Sequence, residues 1–186
     1  MHCHEMVRSG NFSLFFGTDL GANFIGSYSF YLLGSPFFWL TIPFPNYTVP
    51  YLLGPLLILK FALCALTAYL YIRRFTRTPR AAQIGGLLYA FSGFSVYNIF
   101  FNHFHEAFIV FPLLLLSVEL FLTENKRFFF ALMVCLAAVT NYFFFFGMVV
   151  FVTIYFFVRV FSKAVSITPA RFFAFVFEAV LGLLMS

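Results

Sequence analysis

Residues 87–116 read LLYAFSGFSVYNIFFNHFHEAFIVFPLLLL, and this stretch decides the fold of the chain. It belongs to two strongly apolar runs, 84–101 and 107–122, which are separated by the polar pentapeptide NHFHE at 102–106. Polar and ionisable side chains at membrane depth are costly and usually face the interior of a helix bundle or a wet cavity. The pentapeptide is therefore the first place to look for chemistry.

The composition is that of an integral membrane protein. Of the 186 residues, 63% are hydrophobic and only 9% are charged, which is too little polar surface for a soluble domain. A net charge of +5 would suggest a nucleic-acid partner in a soluble chain. Here the basic residues lie between apolar runs, where the positive-inside rule explains them, so no nucleic acid is expected.

The apolar runs predict an all-α, polytopic bundle over 51–186, and the basic residues between the runs set its orientation. A helix that crosses the bilayer core needs about 20 residues. The predicted spans are about 51–72, 81–101, 107–122, 128–141, 142–158 and 172–186. The residues that mark the cytoplasmic connections are Arg73, Arg74, Arg77, Arg80, Lys126, Arg127, Arg159, Lys163 and Arg171.

The run at 128–158 has basic residues at both ends, so it should cross the membrane an even number of times. One helix of this length would measure about 46 Å at the α-helical rise, against a hydrocarbon core of about 30 Å. We expect two short helices that break near Asn141-Tyr142 or near Gly147, which places Asn141 at the outer face, level with Glu106. A single long, tilted helix is the alternative.

Residues 1–50 are then extracytoplasmic, and their aromatic, Gly- and Pro-interrupted sequence predicts short interfacial helices. This segment is not a signal peptide, so we expect the chain to be truncated at both ends and to lack a preceding helix. Asp19 and Asn23 lie in a Gly-rich stretch, and they either face a substrate cleft or cap a turn. The motif His2-Cys3-His4 has no partner cluster, so no metal site is predicted.

Two further charges fall inside predicted spans. Lys60 lies near the middle of the first span, where a charge costs roughly 2.5–3.5 kcal/mol on insertion scales. It either meets an anionic substrate or a carboxylate, or it reaches outward to the interface. Glu119 lies near a cytoplasmic end and is expected to pair with Lys126 or Arg127.

Three stretches together resemble the YfhO family of bacterial membrane proteins, which belongs to the GT-C glycosyltransferase superfamily. They are GTDLGANFIGSYSFYLLGSPF at 17–37, the opening stretch at 87–116, and TNYFFFFG at 140–147. The resemblance implies a longer protein of the bacterial cytoplasmic membrane with many helices. It also implies transfer of a sugar from a polyprenyl-phosphate donor to an extracytoplasmic acceptor, such as a cell-wall polymer.

The resemblance also implies site residues. The main catalytic carboxylate of the family precedes the motif matched by 17–23, so it would fall before Met1, and Asp19 does not take its role. Glu106 matches an acidic residue six positions before the proline matched by Pro112. Asn141 and Tyr142 match a recurring Asn-Tyr pair.

These observations give two candidate catalytic residues. Glu106 would act as a supporting carboxylate, and His103 would stabilise phosphate or relay a proton, since imidazole titrates near neutrality. His103 and His105 are two residues apart, so on a helix only one of them faces the site. No cofactor or metal is expected, and the partners are membrane lipid, the lipid-linked sugar and a cell-envelope acceptor. The candidate substrate-binding residues are Asp19, Asn23, Lys60, His105, Asn141 and Tyr142.

Two other function classes remain open. The spans 81–101 and 107–122 are expected to form a hairpin with the pentapeptide at its outer tip, because 102–106 contains no Lys or Arg. A transporter or flippase for a lipid or small solute would use this hairpin tip as a gate. A structural membrane subunit would need no site, and the pentapeptide would then be a solvated turn. As a fragment, the chain is expected to be inactive alone.

Overall fold

The computed structural model describes residues 2–10 and 28–186. Throughout this part of the chain the regular structure is helical and no strand occurs, which confirms the predicted all-α class. Within the described ranges, three helices are long and apolar enough to cross a membrane, at Asn46–Ile72, Phe104–Glu124 and Tyr142–Phe161. The other predicted spans correspond to shorter helices, and their crossing of the membrane stays a prediction.

Residues 1–50 are called the outer segment here, after their predicted location. The described part of this segment contains two short helices, α1 (His2–Ser9) and α2 (Pro36–Trp39), with a π-helical turn at Ser29–Leu33 between them. A 3₁₀ turn at Asn46–Thr48 then leads into the bundle. The helices of the bundle are α3 (Val49–Ile72), α4 (Pro79–Ala90), α5 (Gly93–Tyr97), α6 (Phe104–Glu124), α7 (Phe129–Thr140), α8 (Tyr142–Phe161) and α9 (Pro169–Leu184).

Helix α6 is the centre of the bundle. In its most apolar window 67% of the residues are buried, against 11% for the span that contains α3 and 22% for α8. A helix that is apolar on all sides needs neighbours or lipid on every side. The exposed apolar side chains of α3 and α8 suit contact with lipid, and α6 is the most buried of these three helices.

Helices α3 and α6 run side by side in the same direction. Lys60 contacts Glu106, 46 residues later, and Arg74 contacts Glu124, 50 residues later. Because the later contact on α3 also meets the later residue on α6, with a similar sequence separation, the two helices run in the same direction. Both α3 and α6 therefore end in the basic connections that the positive-inside rule assigns to the cytoplasm.

Asn141 separates α7 from α8. Its backbone is extended, with φ −160°, and its side-chain oxygen accepts a hydrogen bond from the Phe144 amide at 3.3 Å, which caps the first turn of α8. The structure thus divides the long apolar run at one of the two positions that the sequence analysis considered.

The predicted span 81–101 is not one helix. Helix α4 ends at Ala90, and the short α5 begins only at Gly93. Ser92 between them is extended, with ψ 156°, which ends the helical hydrogen-bond ladder. A Ser-Gly pair within an apolar run favours such a break, because Ser competes with the ladder and Gly has a low helix propensity.

Two glycines allow helices to approach closely. A Cβ on Gly86 of α4 would lie 2.6 Å from the Ala65 carbonyl oxygen of α3. A Cβ on Gly182 of α9 would lie 2.5 Å from the Ala131 carbonyl oxygen of α7. Small residues at contacts between membrane helices permit this backbone approach.

Candidate functional site

A cleft of about 440 Å³ lies between the outer segment, the first half of α3 and the tip that precedes α6. Most of its walls are apolar, and its polar groups come from the tip, from Lys60 and from the segment that precedes α3. The lining residues are Cys3, His4, Leu32, Ser35, Phe37, Phe38, Thr41, Val49, Pro50, Leu53, Leu56, Lys60, Asn102, His103 and Glu106.

Lys60 forms the charged base of the cleft. Its ammonium donates to Oε1 of Glu106 at 2.6 Å, to the Asn102 carbonyl oxygen at 2.9 Å and to Asn102 Oδ1 at 2.7 Å. The Phe37 ring lies over the ammonium, with its centroid 4.9 Å from Nζ. Lys60 is only 4% exposed. Of the two alternatives for Lys60, the structure therefore shows the pairing with a carboxylate.

Glu106 connects the bundle to the outer segment. Besides Lys60, its Oε1 accepts a hydrogen bond from the Ser35 hydroxyl at 2.8 Å. The same hydroxyl oxygen accepts from the Phe38 amide at 3.1 Å and so caps α2. Glu106 is 3% exposed, and the second carboxylate oxygen, Oε2, takes part in none of these contacts.

The first half of α3 forms a wall above this ion pair. Residues Val49 to Leu59 span about 16 Å at the α-helical rise, on the outer side of Lys60. Val49, Leu53 and Leu56 face the cleft from this stretch. The site thus joins a long apolar wall to a buried polar base, which suits an amphiphilic ligand.

The two histidines of the pentapeptide point to different surroundings. His103 lines the cleft at the amino terminus of α6, and burial, together with the nearby Lys60 charge, lowers its pKa. His105 lies 2.9 Å from the Ser95 carbonyl oxygen through Nε2, and its ring packs 5.1 Å from that of Phe61. His103 can therefore contact a ligand, whereas His105 packs α6 against α3 and α5.

Asn141 and Tyr142 do not line the cleft. Asn141 is 1% exposed and is used as a helix cap, and Tyr142 is 55% exposed. The Phe144 ring lies 4.9 Å from that of Phe104, so the α7–α8 junction is at the same end of the bundle as the cleft. Two other sequence candidates, Asp19 and Asn23, lie outside the described residues.

Helix α1 contributes lining residues that the sequence analysis did not assign to a substrate site. The His4 ring contacts Asn46 Oδ1 and lies 2.9 Å from the Thr41 carbonyl oxygen, which fixes α1 against the loop before α3. Burial raises the pKa of the Cys3 thiol to about 11, so this side chain is neutral. His2-Cys3-His4 is a visible polar motif, but the sequence does not show what it packs against.

Among the described residues, no group of three His, Cys, Asp or Glu side chains is arranged to hold a metal.

A second buried carboxylate lies at the inner end of α6. Glu119 pairs with Arg159, whose Nε is 2.7 Å from Oε1, and it also accepts from the Tyr155 hydroxyl. The prediction that Lys126 or Arg127 would be its partner was wrong. Helix α6 ends at Glu124, Asn125 takes a left-handed conformation, and Lys126 pairs with Glu124 instead.

The fold and site define an all-α membrane protein with a cleft that combines apolar walls with a buried ion pair. The model of the family described as "Bacterial membrane protein YfhO" matches residues 3–186. The chain therefore belongs to the YfhO family of bacterial membrane proteins, as the three sequence stretches indicated. No curated protein and no solved structure matches it.

Proposed function

We propose that the chain forms part of a membrane glycosyltransferase of the bacterial cytoplasmic membrane. It would transfer a sugar from a polyprenyl-phosphate donor to an extracytoplasmic acceptor, such as a cell-wall polymer, with residues 1–50 on the outer side. The observation that supports this proposal is the cleft, in which apolar walls lead to a buried Lys60–Glu106 pair.

The cleft has the chemistry that a lipid-linked sugar requires. The prenyl chain needs an apolar surface, and Phe38, Leu53 and Leu56 provide one. The phosphate needs a cation, and Lys60 is the one Lys or Arg among the described lining residues. The volume of about 440 Å³ is within the range of small-molecule sites, about 300–1,000 Å³.

Three side chains take distinct roles in the proposal. Lys60 stabilises the negative charge on the leaving phosphate. His103, which is neutral because its pKa is lowered, accepts or relays a proton from the acceptor hydroxyl. Glu106 holds Lys60 in place before the donor binds, and because its Oε1 already accepts two hydrogen bonds, it is a supporting carboxylate and not the principal base.

The test is sugar transfer from a radiolabelled polyprenyl-phosphate donor in membranes that contain the protein or its variants. Removing one member of a buried ion pair can unfold a protein, so the informative variant is the neutral double substitution Lys60→Met with Glu106→Gln. We expect it to reach the membrane at normal levels and to lose transfer by at least about 100-fold, as when one charge-stabilising group is removed.

The matched control is Glu124→Gln, which neutralises a glutamate of the exposed Arg74–Glu124 pair at the inner end. It should transfer at the normal rate. Normal transfer by the double variant would refute the role of this cleft. Transbilayer movement of the lipid-linked sugar without any transfer would instead favour a flippase.

A further inference from the structure

We infer that the cleft binds the phosphate group of its ligand together with one proton, which Glu106 takes up from water. This inference rests on the proposed function, because it names the anionic lipid phosphate as the ligand of the same site. It adds a property that the proposed function does not require, namely coupling between ligand binding and pH.

All three hydrogen-bond donors of Lys60 are already in use. An ammonium group has three N–H donors. Glu106 Oε1, the Asn102 carbonyl oxygen and Asn102 Oδ1 each lie within 2.9 Å of Nζ. The Phe37 ring covers another side of the group. A phosphate oxygen can therefore contact Lys60 only by displacing a present partner.

Glu106 is the partner whose displacement has an electrostatic consequence. In the resting site the charges of Lys60 and Glu106 cancel. When a singly charged phosphodiester joins them, the site carries two negative charges and one positive charge. Two anions that share a site cannot both stay ionised without a large cost, and a buried charge left without a partner is costly in the same way.

Lys60 is the one Lys or Arg that lines the cleft in the described part of the chain. The other polar or titratable lining groups there are Ser35, Thr41, Asn102, the neutral Cys3 thiol, His4 and His103. His105, on the same helix as Glu106, faces Ser95 and Phe61. His103 is the competing proton acceptor, since it lines the same cleft and is neutral in the resting site.

One proton on Glu106 restores neutrality. The protonated carboxyl group no longer requires Lys60, and its O–H can donate to the bound phosphate or to a neighbouring oxygen. Binding that takes up one proton becomes weaker as the pH rises, by up to about tenfold per pH unit. The resting ion pair thus makes affinity for the lipid phosphate depend on pH.

The experiment is titration calorimetry of the detergent-solubilised protein with geranyl methyl phosphate. The charge of this phosphodiester is constant through the neutral range, so the probe itself takes up no proton. Titrations in two buffers of different ionisation enthalpy give the number of protons taken up per ligand. Geraniol, which has the same chain without the phosphate, and inorganic phosphate separate the contributions of the tail and the head group.

We expect about one proton per bound phosphodiester for the native protein and for His103→Gln, and none for Glu106→Gln. Glu106→Gln should also bind the probe at least as tightly, with an affinity that no longer depends on pH. Its fold is checked by its melting temperature and by retained binding of geraniol.

Binding without proton uptake would overturn this inference while leaving the cleft as a phosphate site. Proton uptake that persists in Glu106→Gln and disappears in His103→Gln would also overturn it. If the phosphodiester binds no better than geraniol, both the inference and the placement of the donor phosphate fail, whereas the transfer assay still tests the proposed function separately.

Discussion

The ammonium of Lys60 lies 2.6 Å from Oε1 of Glu106, and the two side chains are 5% and 4% exposed. This pair joins the middle of α3 to the first turn of α6, the most buried of the long helices. Ser35, in the outer segment, donates a hydrogen bond to the same carboxylate oxygen. One ionic contact therefore holds together the three parts of the chain that surround the cleft.

The buried pair should be sensitive to the loss of either partner alone. Lys60→Met or Glu106→Gln leaves one uncompensated buried charge, which should lower the free energy of unfolding by about 3–5 kcal/mol. The double variant leaves no charge, and the amide side chain at position 106 retains an oxygen that can accept from Ser35. The double variant should therefore regain most of the lost free energy of unfolding. The unfolding temperatures of the two single variants and the double variant in detergent, followed by the loss of the folded peak on size exclusion, test this prediction.

The exposed pair Arg74–Glu124 provides the comparison. Its side chains are 26% and 39% exposed, and Glu124→Gln should leave the unfolding temperature almost unchanged. If the losses in stability from Lys60→Met and Glu106→Gln simply add in the double variant, the result would contradict a direct ion pair between Lys60 and Glu106.

The close approach of α7 and α9 depends on Gly182. The substitution Gly182→Ala places a methyl group 2.5 Å from the Ala131 carbonyl oxygen, and it should destabilise the protein by about 1–3 kcal/mol, as overpacking does. Gly147→Ala on α8 is the matched control, because no atom lies within 4 Å of its added Cβ. Equal melting temperatures for the two variants would contradict the packing of α9 on α7.

Much of the helical fold follows from local sequence. The predicted span 51–72 agrees with α3 at Val49–Ile72, and 107–122 agrees with α6 at Phe104–Glu124, because long apolar runs bounded by polar residues define helices well. The break after Ala90 was missed. Ser92-Gly93 was the available signal, but the hydropathy of the surrounding run masked it.

The partners of the buried charges could not be read from the sequence. Lys60 and Glu106 are 46 residues apart, and Glu119 and Arg159 are 40 apart. Each pair depends on which helices are neighbours and on how far one is shifted along the other. Hydrophobic patterns identify helices but do not give this register, so the partner predicted for Glu119 was a sequence neighbour and was wrong.

The topology predicts that the α7–α8 junction faces the outside. Asn141 is buried, so the labelling site should be the exposed Tyr142. In a Cys135→Ala background, Tyr142→Cys should react with a membrane-impermeant maleimide on intact cells, whereas Lys163→Cys should react only after permeabilisation. The opposite pattern would invert the topology, and labelling of both positions from the cytoplasm would show that α7 and α8 do not form a membrane hairpin.

The rate of transfer should decrease only in acid. The neutral imidazole of His103 is the form that accepts a proton, and burial together with Lys60 lowers its pKa below the ordinary value of about 6.5. At saturating donor the rate should therefore stay constant from neutral pH through that ordinary value and fall only below it. His103→Gln should remove this acid limb and slow transfer by about 10²–10⁴-fold. An unchanged pH profile in His103→Gln would exclude this role.

The most direct test of the central claim is to locate the lipid-phosphate ligand on the chain. A prenyl phosphodiester with a photoreactive group on its chain is irradiated with the native protein in membranes, and the labelled peptides are identified by mass spectrometry. We predict labelling within 49–60 and 35–41, on two sides of the cleft, which excess geranyl methyl phosphate suppresses at a much lower concentration than geraniol does. Labelling confined to the lipid-facing groove around Leu87 and Phe91, and unaffected by the phosphodiester, would contradict the account.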